Sequence, residues 1–356
     1  MKKLRMAIIG IEHCHVRGMI NEFKEKAEIV GIAEYKIRDE KAYEMYKEVH
    51  LPKDVDIEIW DDYKELLSQD IDVAVICTNV KDHADIACEI LDMGIHVIVE
   101  KPMAIDMNDA KRMYRAYKKS KAELIISWPI AWFSTFNKVK ELADSGIVGD
   151  IQRVQYRSPS TRGAYSLEAF TDDERSHMWW YQRELGGGSI FDYTGYGCVL
   201  TAWITGRLAK KVFGMKKNFF LPYSDVEDYS VFSIDFGDCV GLIEGSWSTM
   251  SNGQIPTGPV VYGSEGVIVA DRFDKKVKVY KTYKPYVPTP DPEYVYDVEN
   301  SKTNLADNVI AFITNGVPLH EIITAEFNMK AAAILDAGRR SCESGTAEWA
   351  DDPFQF

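Results

Sequence analysis

The chain reads VAVICTNVKDHADIACEILDMGIHVIVEKP from Val73 to Pro102, with two short apolar runs on either side of a segment of helical periodicity. The runs, Val73–Cys77 and Ile95–Val99, are rich in Val and Ile, which is typical of strands buried on both faces. Between Asp82 and Met93, apolar residues recur every three to four positions, and Gly94 follows at a C-cap position. This order predicts a right-handed βαβ unit of parallel strands.

The same alternation extends over the first 127 residues. Further Val/Ile-rich runs lie at Arg5–Ile9, Glu28–Ala33 and Glu123–Ile126, separated by segments with helical spacing. Strands that alternate with helices in this way predict an α/β fold with a doubly wound parallel sheet.

The rest of the chain has a different pattern. In Tyr229–Phe236, apolar residues alternate with polar ones, as expected of an antiparallel strand with one buried face. Several other stretches are strand-like, and two helical patterns close the chain. We therefore expect a first domain over residues 1–125 and a C-terminal α+β domain over residues 126–356. The second domain is expected to hold a large, mostly antiparallel open sheet, with its last helix packing back toward the first domain.

Composition narrows the class of protein. The 356 residues include 42 Lys and Arg against 55 Asp and Glu, for a formal net charge of −13. Nucleic acids and anionic membranes are bound through an excess of Lys and Arg, so neither is expected as a main partner. Six scattered cysteines show no C-x-x-C spacing, the start of the chain has no long apolar core of a signal peptide, and no apolar segment approaches the length of a membrane span. These features favour a cytoplasmic protein with reduced thiols.

The first apolar run ends in the segment Gly10-Ile11-Glu12-His13-Cys14-His15. A dinucleotide-binding turn has the pattern G-x-G-x-x-G, and this chain keeps the first glycine, with Glu12 and His15 at the other two positions. A helix N-terminus here can still attract a pyrophosphate. The Glu12 carboxylate would repel it unless it points away or meets a cation. His13 and His15 form an H-x-H pair, but no third ligand has suitable spacing, so we predict no metal site.

Glu34 ends the second apolar run, 24 residues after Gly10. An acidic residue at this position accepts hydrogen bonds from ribose hydroxyls and repels a 2′-phosphate, which favours NAD over NADP. Lys36 and Arg38 weaken that preference, so NADP is not excluded.

Two later segments carry groups suited to catalysis. Glu100-Lys101-Pro102 follows a parallel strand directly, at the sheet edge where ligands bind, and a lysine fixed there can polarise a carbonyl or hold an alkoxide. After Gly186-Gly187-Gly188, Ser189 is placed to cap a helix that carries Asp192 and Tyr196 on one face. A carboxylate beside a phenol suggests proton transfer. Trp179 and Trp180 precede the glycines. A role as a lid over the site and a role in core packing are equally compatible with this position.

The order of these segments resembles the Gfo/Idh/MocA oxidoreductase family. The resemblance covers nearly the whole chain and is carried by the following motifs: Gly10, Thr78-Asn79 with His83, Glu100-Lys101-Pro102, Gly146-x-x-Gly149, Gly187-Gly188 with Asp192, Trp203-Ile204-Thr205-Gly206 and Tyr262-Gly263-Ser264-Glu265-Gly266. It implies an N-terminal Rossmann domain and NAD(P)-dependent oxidation or reduction of a sugar, polyol or related hydroxy compound.

The resemblance also implies roles for individual residues. Lys101 and Asp192 match the family's catalytic Lys and Asp, and Tyr196 stands where the family usually has His, as in the glucose–fructose oxidoreductase branch. We expect Tyr196 to take the substrate proton, with Lys101 depressing a phenol pKa that is ordinarily near 10. The expected cofactor contacts are Gly10, Ile11, Glu12, His13, His15, Glu34, Thr78, Asn79, His83, Glu100, Lys101 and Pro102. The expected substrate contacts are Trp128, Trp179, Trp180 and Tyr196.

Two other functions stay open on the same scaffold. One is NAD-dependent cleavage of glycosides through transient oxidation, and the other is a non-catalytic sensor of cofactor or sugar. A wide sheet with one open face usually needs a cover, so a homodimer or homotetramer formed through that face is expected.

Overall fold

The computed structural model describes residues 3–159, 170–248, 256–271, 273–281 and 291–356. The first part of the chain alternates strands and helices, as the apolar runs predict. Its strands are β1 (Arg5–Ile9), β2 (Glu28–Ala33), β3 (Ile59–Trp60), β4 (Val73–Ile76), β5 (His96–Glu100) and β6 (Leu124–Ser127). Its helices are α1 (Val16–Phe23), α2 (Glu40–His50), α3 (Tyr63–Leu67), α4 (His83–Asp92) and α5 (Met107–Lys119).

These six strands form one parallel sheet in the order β3-β2-β1-β4-β5-β6. Strands β4 and β6 are buried along their whole length, which explains their unbroken apolar sequences. The strand order reverses between β1 and β4, because β2 and β3 lie on one side of β1 and β4 to β6 lie on the other. A crevice therefore opens at the carboxyl ends of these two strands, which is where ligands bind in doubly wound sheets.

The second part of the chain contains longer strands and the remaining helices. Its helices are α6 (Ser134–Asp144), α7 (Asp172–His177), α8 (Gly195–Thr205), α9 (Leu305–Asn315) and α10 (Ala325–Ser344). Its strands are β7 (Ile151–Pro159), β8 (Lys211–Lys217), β9 (Tyr229–Asp235), β10 (Val240–Ser246), β11 (Val260–Gly263), β12 (Val267–Ala270), β13 (Lys276–Tyr280), β14 (Tyr294–Asp297) and β15 (Glu348–Trp349).

These nine strands form a mixed sheet in the order β14-β13-β12-β11-β7-β10-β9-β8-β15, in which β7 and β10 are the one parallel pair among the described residues. Helices α8 and α10 pack on one face. The other face is open: Phe213 and Met215 of β8 are 42% and 55% exposed, while Val212, which points to the opposite face, is buried. The prediction of a mostly antiparallel open sheet is confirmed.

Contacts between the two parts of the chain define where the candidate site lies. Helix α10 packs on both β8 and α5, and Ile125 forms a β-bridge with Thr324 just before α10. The turn at Gly186 lies so close to the end of β4 that a Cβ on this residue would stand 2.6 Å from the Val80 Cβ. The glycine-rich turn of the second part therefore meets the crevice of the parallel sheet. Among the described helices, none is both long and apolar enough to cross a bilayer.

Candidate active site

The loop between β1 and α1 lies at the centre of the crevice. Gly10 has a φ of +83°, and a Cβ there would come within 2.5 Å of the Thr78 side chain, so a glycine is required for this close approach. His13 donates its backbone N–H to the Cys77 carbonyl at 2.9 Å. Ile11 and His13 are buried in this loop, and α1 begins only at Val16. The predicted strand–turn–helix is present, and its turn is hydrogen-bonded to the residue that follows β4.

The Glu12 carboxylate is held at the end of β4. Its Oε2 accepts hydrogen bonds from the backbone N–H and the side-chain Nδ2 of Asn79, both at 2.8 Å. Burial raises the pKa of Glu12 from 4.5 to about 7, against the lowering effect of the Asn79 hydrogen bonds. The residue that replaces the second loop glycine therefore has a partner of its own within the fold.

Glu34 lies at the end of β2, beside a cavity of about 190 Å³ that is also lined by Glu12, Lys36, Arg38 and Trp179. Burial, reinforced by the nearby Glu12 charge, raises the pKa of Glu34 to about 8. Its Oε1 is buried and has no hydrogen-bond partner among the described residues. An unpartnered buried carboxyl oxygen facing a cavity is suited to accept a hydrogen bond from a ligand.

Glu100-Lys101-Pro102 follows β5, with a cis peptide bond between Lys101 and Pro102. His83, at the start of α4, lies with Nδ1 3.1 Å from the Pro102 carbonyl oxygen, so this nitrogen carries the ring proton. Burial lowers the pKa of His83, which keeps the ring neutral. His83 therefore fixes the backbone of the Glu-Lys-Pro segment, and its Nε2 has no hydrogen-bond partner in the described part of the chain.

Lys101 and Asp192 form a buried ion pair between Nζ and Oδ1. Burial disfavours the ammonium, but the Asp192 carboxylate outweighs it and holds the pKa of Lys101 above its usual value. The same Nζ lies 5.1 Å from the centre of the Tyr196 ring. The three residues expected to be catalytic are thus brought together, and Lys101 is a fixed cation among them.

The turn that carries Asp192 differs from the predicted helix. Residues Ile190–Thr194 form a π-helical turn, and α8 begins only at Gly195, so Asp192 and Tyr196 belong to different helical types. The prediction that Ser189 caps the helix is wrong, because its hydroxyl makes no capping bond and is buried without a partner among the described residues. π-turns inside helices are frequent at functional sites.

Trp179 and Trp180 stack on each other, with ring centres 3.9 Å apart, and both are 2% exposed. The Trp179 indole N–H donates to the Glu12 carbonyl at 2.9 Å. The Trp180 ring lies 4.7 Å from the His13 ring and 5.7 Å from Lys101 Nζ. The pair therefore packs in the core against the β1–α1 loop, and its role as a lid over the site stays a prediction.

His13 and His15 sit beside Glu100. His15 Nδ1 donates to Glu100 Oε2 at 3.1 Å, and His13 Nε2 lies 3.7 Å from the same oxygen. The ligand atoms of His13, Cys14 and His15 lie within 4.8 Å of one another, a spacing compatible with a metal. However, His13 Nδ1 already accepts the backbone N–H of His15 at 3.2 Å, so the proton of the neutral ring is on Nε2. His13 Nε2 is therefore a donor in this arrangement, since a coordinating imidazole nitrogen must be deprotonated. The expectation that no third ligand is available is wrong, because Cys14 lies between the two histidines.

Two contacts of the site have no signal in the sequence. The Trp247 indole N–H donates to Asp192 Oδ2 at 2.9 Å from the end of β10. Trp128 lies edge-on to Tyr196, with ring centres 5.2 Å apart, and its N–H donates to Asn328 in α10 at 2.6 Å. Trp128 was expected to contact substrate, and the structure places it, 2% exposed, against the catalytic tyrosine candidate. Trp247 and Asn328 were not predicted.

A six-stranded parallel sheet with polar side chains gathered at its switch point is the architecture of a dinucleotide-binding protein. The comparison with known families agrees. Residues 4–127 match the oxidoreductase family with an NAD-binding Rossmann fold, and residues 136–269 match the GFO/IDH/MocA C-terminal domain. This chain belongs to the Gfo/Idh/MocA oxidoreductase family.

Named relatives are distant. The chain is 24% identical to a levoglucosan dehydrogenase of Pseudarthrobacter phenanthrenivorans over 58% of its own length and 57% of that protein. It is 24% identical to a myo-inositol 2-dehydrogenase of Thermotoga maritima over 35% of its length and 36% of that protein. The match therefore spans less than two thirds of either relative. The structure of the WlbA dehydrogenase of Bordetella pertussis with NADH and UDP-GlcNAcA superposes with a TM-score of 0.73, at 19% identity over 98% of this chain and 99% of that one.

The residues present fit an NAD molecule. Buried polar atoms without a hydrogen-bond partner in the described part of the chain follow the carboxyl edge of the sheet: Glu34 Oε1 after β2, Asn79 Oδ1 after β4, and Glu100 Oε1 at the end of β5. Unpaired buried polar atoms are costly in a folded protein, and a bound ligand satisfies them. The loss of two loop glycines does not contradict this fit, because Glu12 has Asn79 as its partner.

Proposed function

We propose that this chain is an NAD-dependent dehydrogenase that acts on a CH–OH group of a sugar, polyol or related compound. The observation that carries the proposal is the buried Lys101–Asp192 ion pair beside Tyr196, at the switch point of an NAD-binding Rossmann sheet. Support for the substrate class comes from the relatives, which include an inositol dehydrogenase and a levoglucosan dehydrogenase.

The site residues divide the work of the reaction. Lys101, held as a cation by Asp192, hydrogen-bonds the substrate oxygen and stabilises negative charge that develops on it. Tyr196, acting as its phenolate, takes the hydroxyl proton and becomes a neutral phenol, and Trp128 holds the Tyr196 ring in place from its edge. NAD, when bound, supplies the hydride acceptor at C4 of its nicotinamide ring. Glu34, Asn79 and Glu100 hold the cofactor with their unpartnered oxygens, and Trp179 and Trp180 exclude water from the loop.

Gly10, Ile11 and Thr78 support the cofactor indirectly in this proposal. Gly10 packs its backbone against Thr78, and neither residue presents a charged group to the crevice. His13, His15 and His83 hold the Glu100–Pro102 segment, which in turn fixes the backbone from which Lys101 projects. We assign them as positioning residues on the cofactor side of the site.

We further propose the division into domains at residue 125 and association of two or four copies through the open sheet face. The exposed Phe213, Met215 and Val240 on that face support such an interface.

One substitution tests the catalytic assignment. The wild-type protein is assayed with NAD and a panel of polyols and aldoses, followed at the nicotinamide absorbance. Lys101→Ala is expected to lower turnover roughly 100- to 1,000-fold, the usual cost of removing a donor to a developing oxyanion. Lys81→Ala is the matched control, because Lys81 lies at the same edge of the sheet but is exposed. Equal turnover in Lys101→Ala and wild type would rule out the assignment.

The glycoside-cleaving alternative has one structural point in its favour. The imidazole of His15 is oriented by the buried carboxylate of Glu100, the residue before Lys101, so His15 offers a second acid–base group. Release of an aglycone from a glycoside with no net change in nicotinamide absorbance would favour that function over a dehydrogenase.

A further inference from the structure

Arg38 is placed to contact the adenosine end of a dinucleotide. It lies four residues after Glu34 and lines the same cavity. A guanidinium with parallel N–H donors suits a phosphate group, and an arginine near this position accommodates the 2′-phosphate in NADP-binding relatives of the fold. Judged by position alone, Arg38 would make the site accept NADP.

The parallel pair of Arg38 donors is already occupied. Its two terminal nitrogens donate to the two carboxylate oxygens of Asp82, at 2.5 Å from Nη1 to Oδ2 and 2.7 Å from Nη2 to Oδ1. Two parallel charge-assisted bonds are the strongest arrangement that an arginine and a carboxylate form. The two parallel donors that would bind a phosphate therefore bind an internal carboxylate instead.

Asp82 is itself rigidly placed. It is 4% exposed, and Asn79 Nδ2 donates to its Oδ2 at 2.8 Å. The same Asn79 side chain also donates to Glu12. The network Glu12–Asn79–Asp82–Arg38 thus joins the β1–α1 loop, the end of β4 and the segment after β2. The parallel pair of Arg38 donors can bind a phosphate only by leaving Asp82.

The other titratable groups around the cavity are mostly acidic. Glu12, Glu34 and Glu184 line it, and His177 is paired with Asp39 at 2.5 Å. Lys36 is the one lining cation for which the described residues provide no ion-pair partner. A phosphate monoester brings about two further negative charges. The cavity therefore suits a neutral ribose better than a phosphorylated one.

We propose that Asp82 is a specificity-determining residue: by closing the Arg38 guanidinium, it makes the site select a dinucleotide with a free ribose 2′-hydroxyl over one with a 2′-phosphate. This inference rests on the proposed function, because it presumes that a dinucleotide occupies the cavity beside Glu34.

The test measures binding and does not depend on a substrate. NADH and NADPH are titrated separately into the wild-type protein and Asp82→Asn, with nicotinamide fluorescence as the readout. Wild type is expected to bind NADH more tightly than NADPH. Asp82→Asn removes one charge at nearly constant shape and frees the guanidinium, so the ratio of the two dissociation constants should shift toward NADPH by about tenfold or more.

Two further variants isolate the cause. Asp85→Asn removes the same charge from α4, but Asp85 is exposed, pairs with Arg112 and does not line the cavity, so the ratio should stay at the wild-type value. Asp82→Asn combined with Arg38→Ala should lose the gain in NADPH binding, because the released guanidinium is then absent.

The possible outcomes distinguish failure of this inference from failure of the proposed function. An unchanged ratio in Asp82→Asn overturns the inference, as does a wild-type preference for NADPH. A gain that survives removal of Arg38 also overturns it, because the effect would then come from Lys36 or from charge alone. Binding of neither dinucleotide to wild type overturns the proposed function itself, and the inference with it.

Discussion

Trp247 donates its indole N–H to the Asp192 carboxylate, with 2.9 Å between Nε1 and Oδ2. The other oxygen of that carboxylate pairs with the Lys101 ammonium. The two bonds come from residues that directly follow different strands, β10 and β5, and the carboxylate is held between them. The position of Lys101 is therefore set by Asp192, and the position of Asp192 by Trp247.

Trp247→Phe is predicted to lower kcat about 10- to 100-fold, with little change in KM. A hydrogen bond to a charged group contributes roughly 1.5–3 kcal/mol, and its loss lets the carboxylate turn away from the position that aligns Lys101. Steady-state kinetics on a turned-over substrate measure the effect. Trp203→Phe is the control, because its N–H donates to Glu321 at 3.0 Å and not to Asp192. Equal losses in the two variants would show that Trp247 acts only through packing.

A double-mutant cycle tests the buried pair. Lys101→Met leaves the Asp192 carboxylate buried without its cation, and breaking one partner of such a pair costs about 3–5 kcal/mol of unfolding free energy. Asp192→Asn leaves the Lys101 ammonium buried without its anion in the same way. The combined variant should recover much of the loss, because no uncompensated charge remains. Urea unfolding of the four proteins gives the coupling energy, and additive losses would contradict a strong pair.

The raised pKa of Glu12 predicts a pH dependence of stability. In the unfolded chain this carboxyl ionises near pH 4.5, whereas in the folded chain it keeps its proton to about pH 7. Between these values the folded state holds a proton that the unfolded state has released, so the contribution of Glu12 to stability falls as pH rises from about 4.5 to 7 and then levels off. The span corresponds to a loss on the order of 3 kcal/mol.

Unfolding free energies measured across that range in wild type and Glu12→Gln test this dependence. The variant should show a shallower slope, with a part retained because Glu34 has a pKa raised in the same direction. Glu25→Gln, at an exposed position after α1, is the matched control and should follow wild type. Parallel curves for Glu12→Gln and wild type would mean that Glu12 is ionised throughout.

The fold could be predicted because its signals are local. Apolar runs of four to six residues mark β1, β2 and β4 to β6, and their alternation with helices specifies the parallel sheet. The Glu100-Lys101-Pro102 segment could be located because it follows such a run directly. Asp192 and Tyr196 could be located after the glycine-rich turn, the family resemblance implied their roles, and the structure brings both to Lys101.

What could not be predicted depends on the direction in which side chains point. Glu12 stands where a glycine was expected, and only the position of Asn79, 67 residues later, shows that its charge has an internal partner. The Arg38–Asp82 pair likewise joins residues 44 positions apart. Trp247 reaches Asp192 because of the position of β10 in a sheet whose strand order the sequence does not specify. The π-turn at Ile190–Thr194 has no simple periodicity to reveal it.

The central claim is that the altered β1–α1 loop still binds a nicotinamide dinucleotide beside Lys101. Calorimetric titration of the wild-type protein with NADH tests this most directly. We expect saturable binding of one NADH per chain, with weaker binding when the Glu34 acceptor is removed by Glu34→Ala. Absence of any binding heat for NADH and for NADPH, in a protein shown to be folded by its unfolding transition, would contradict it.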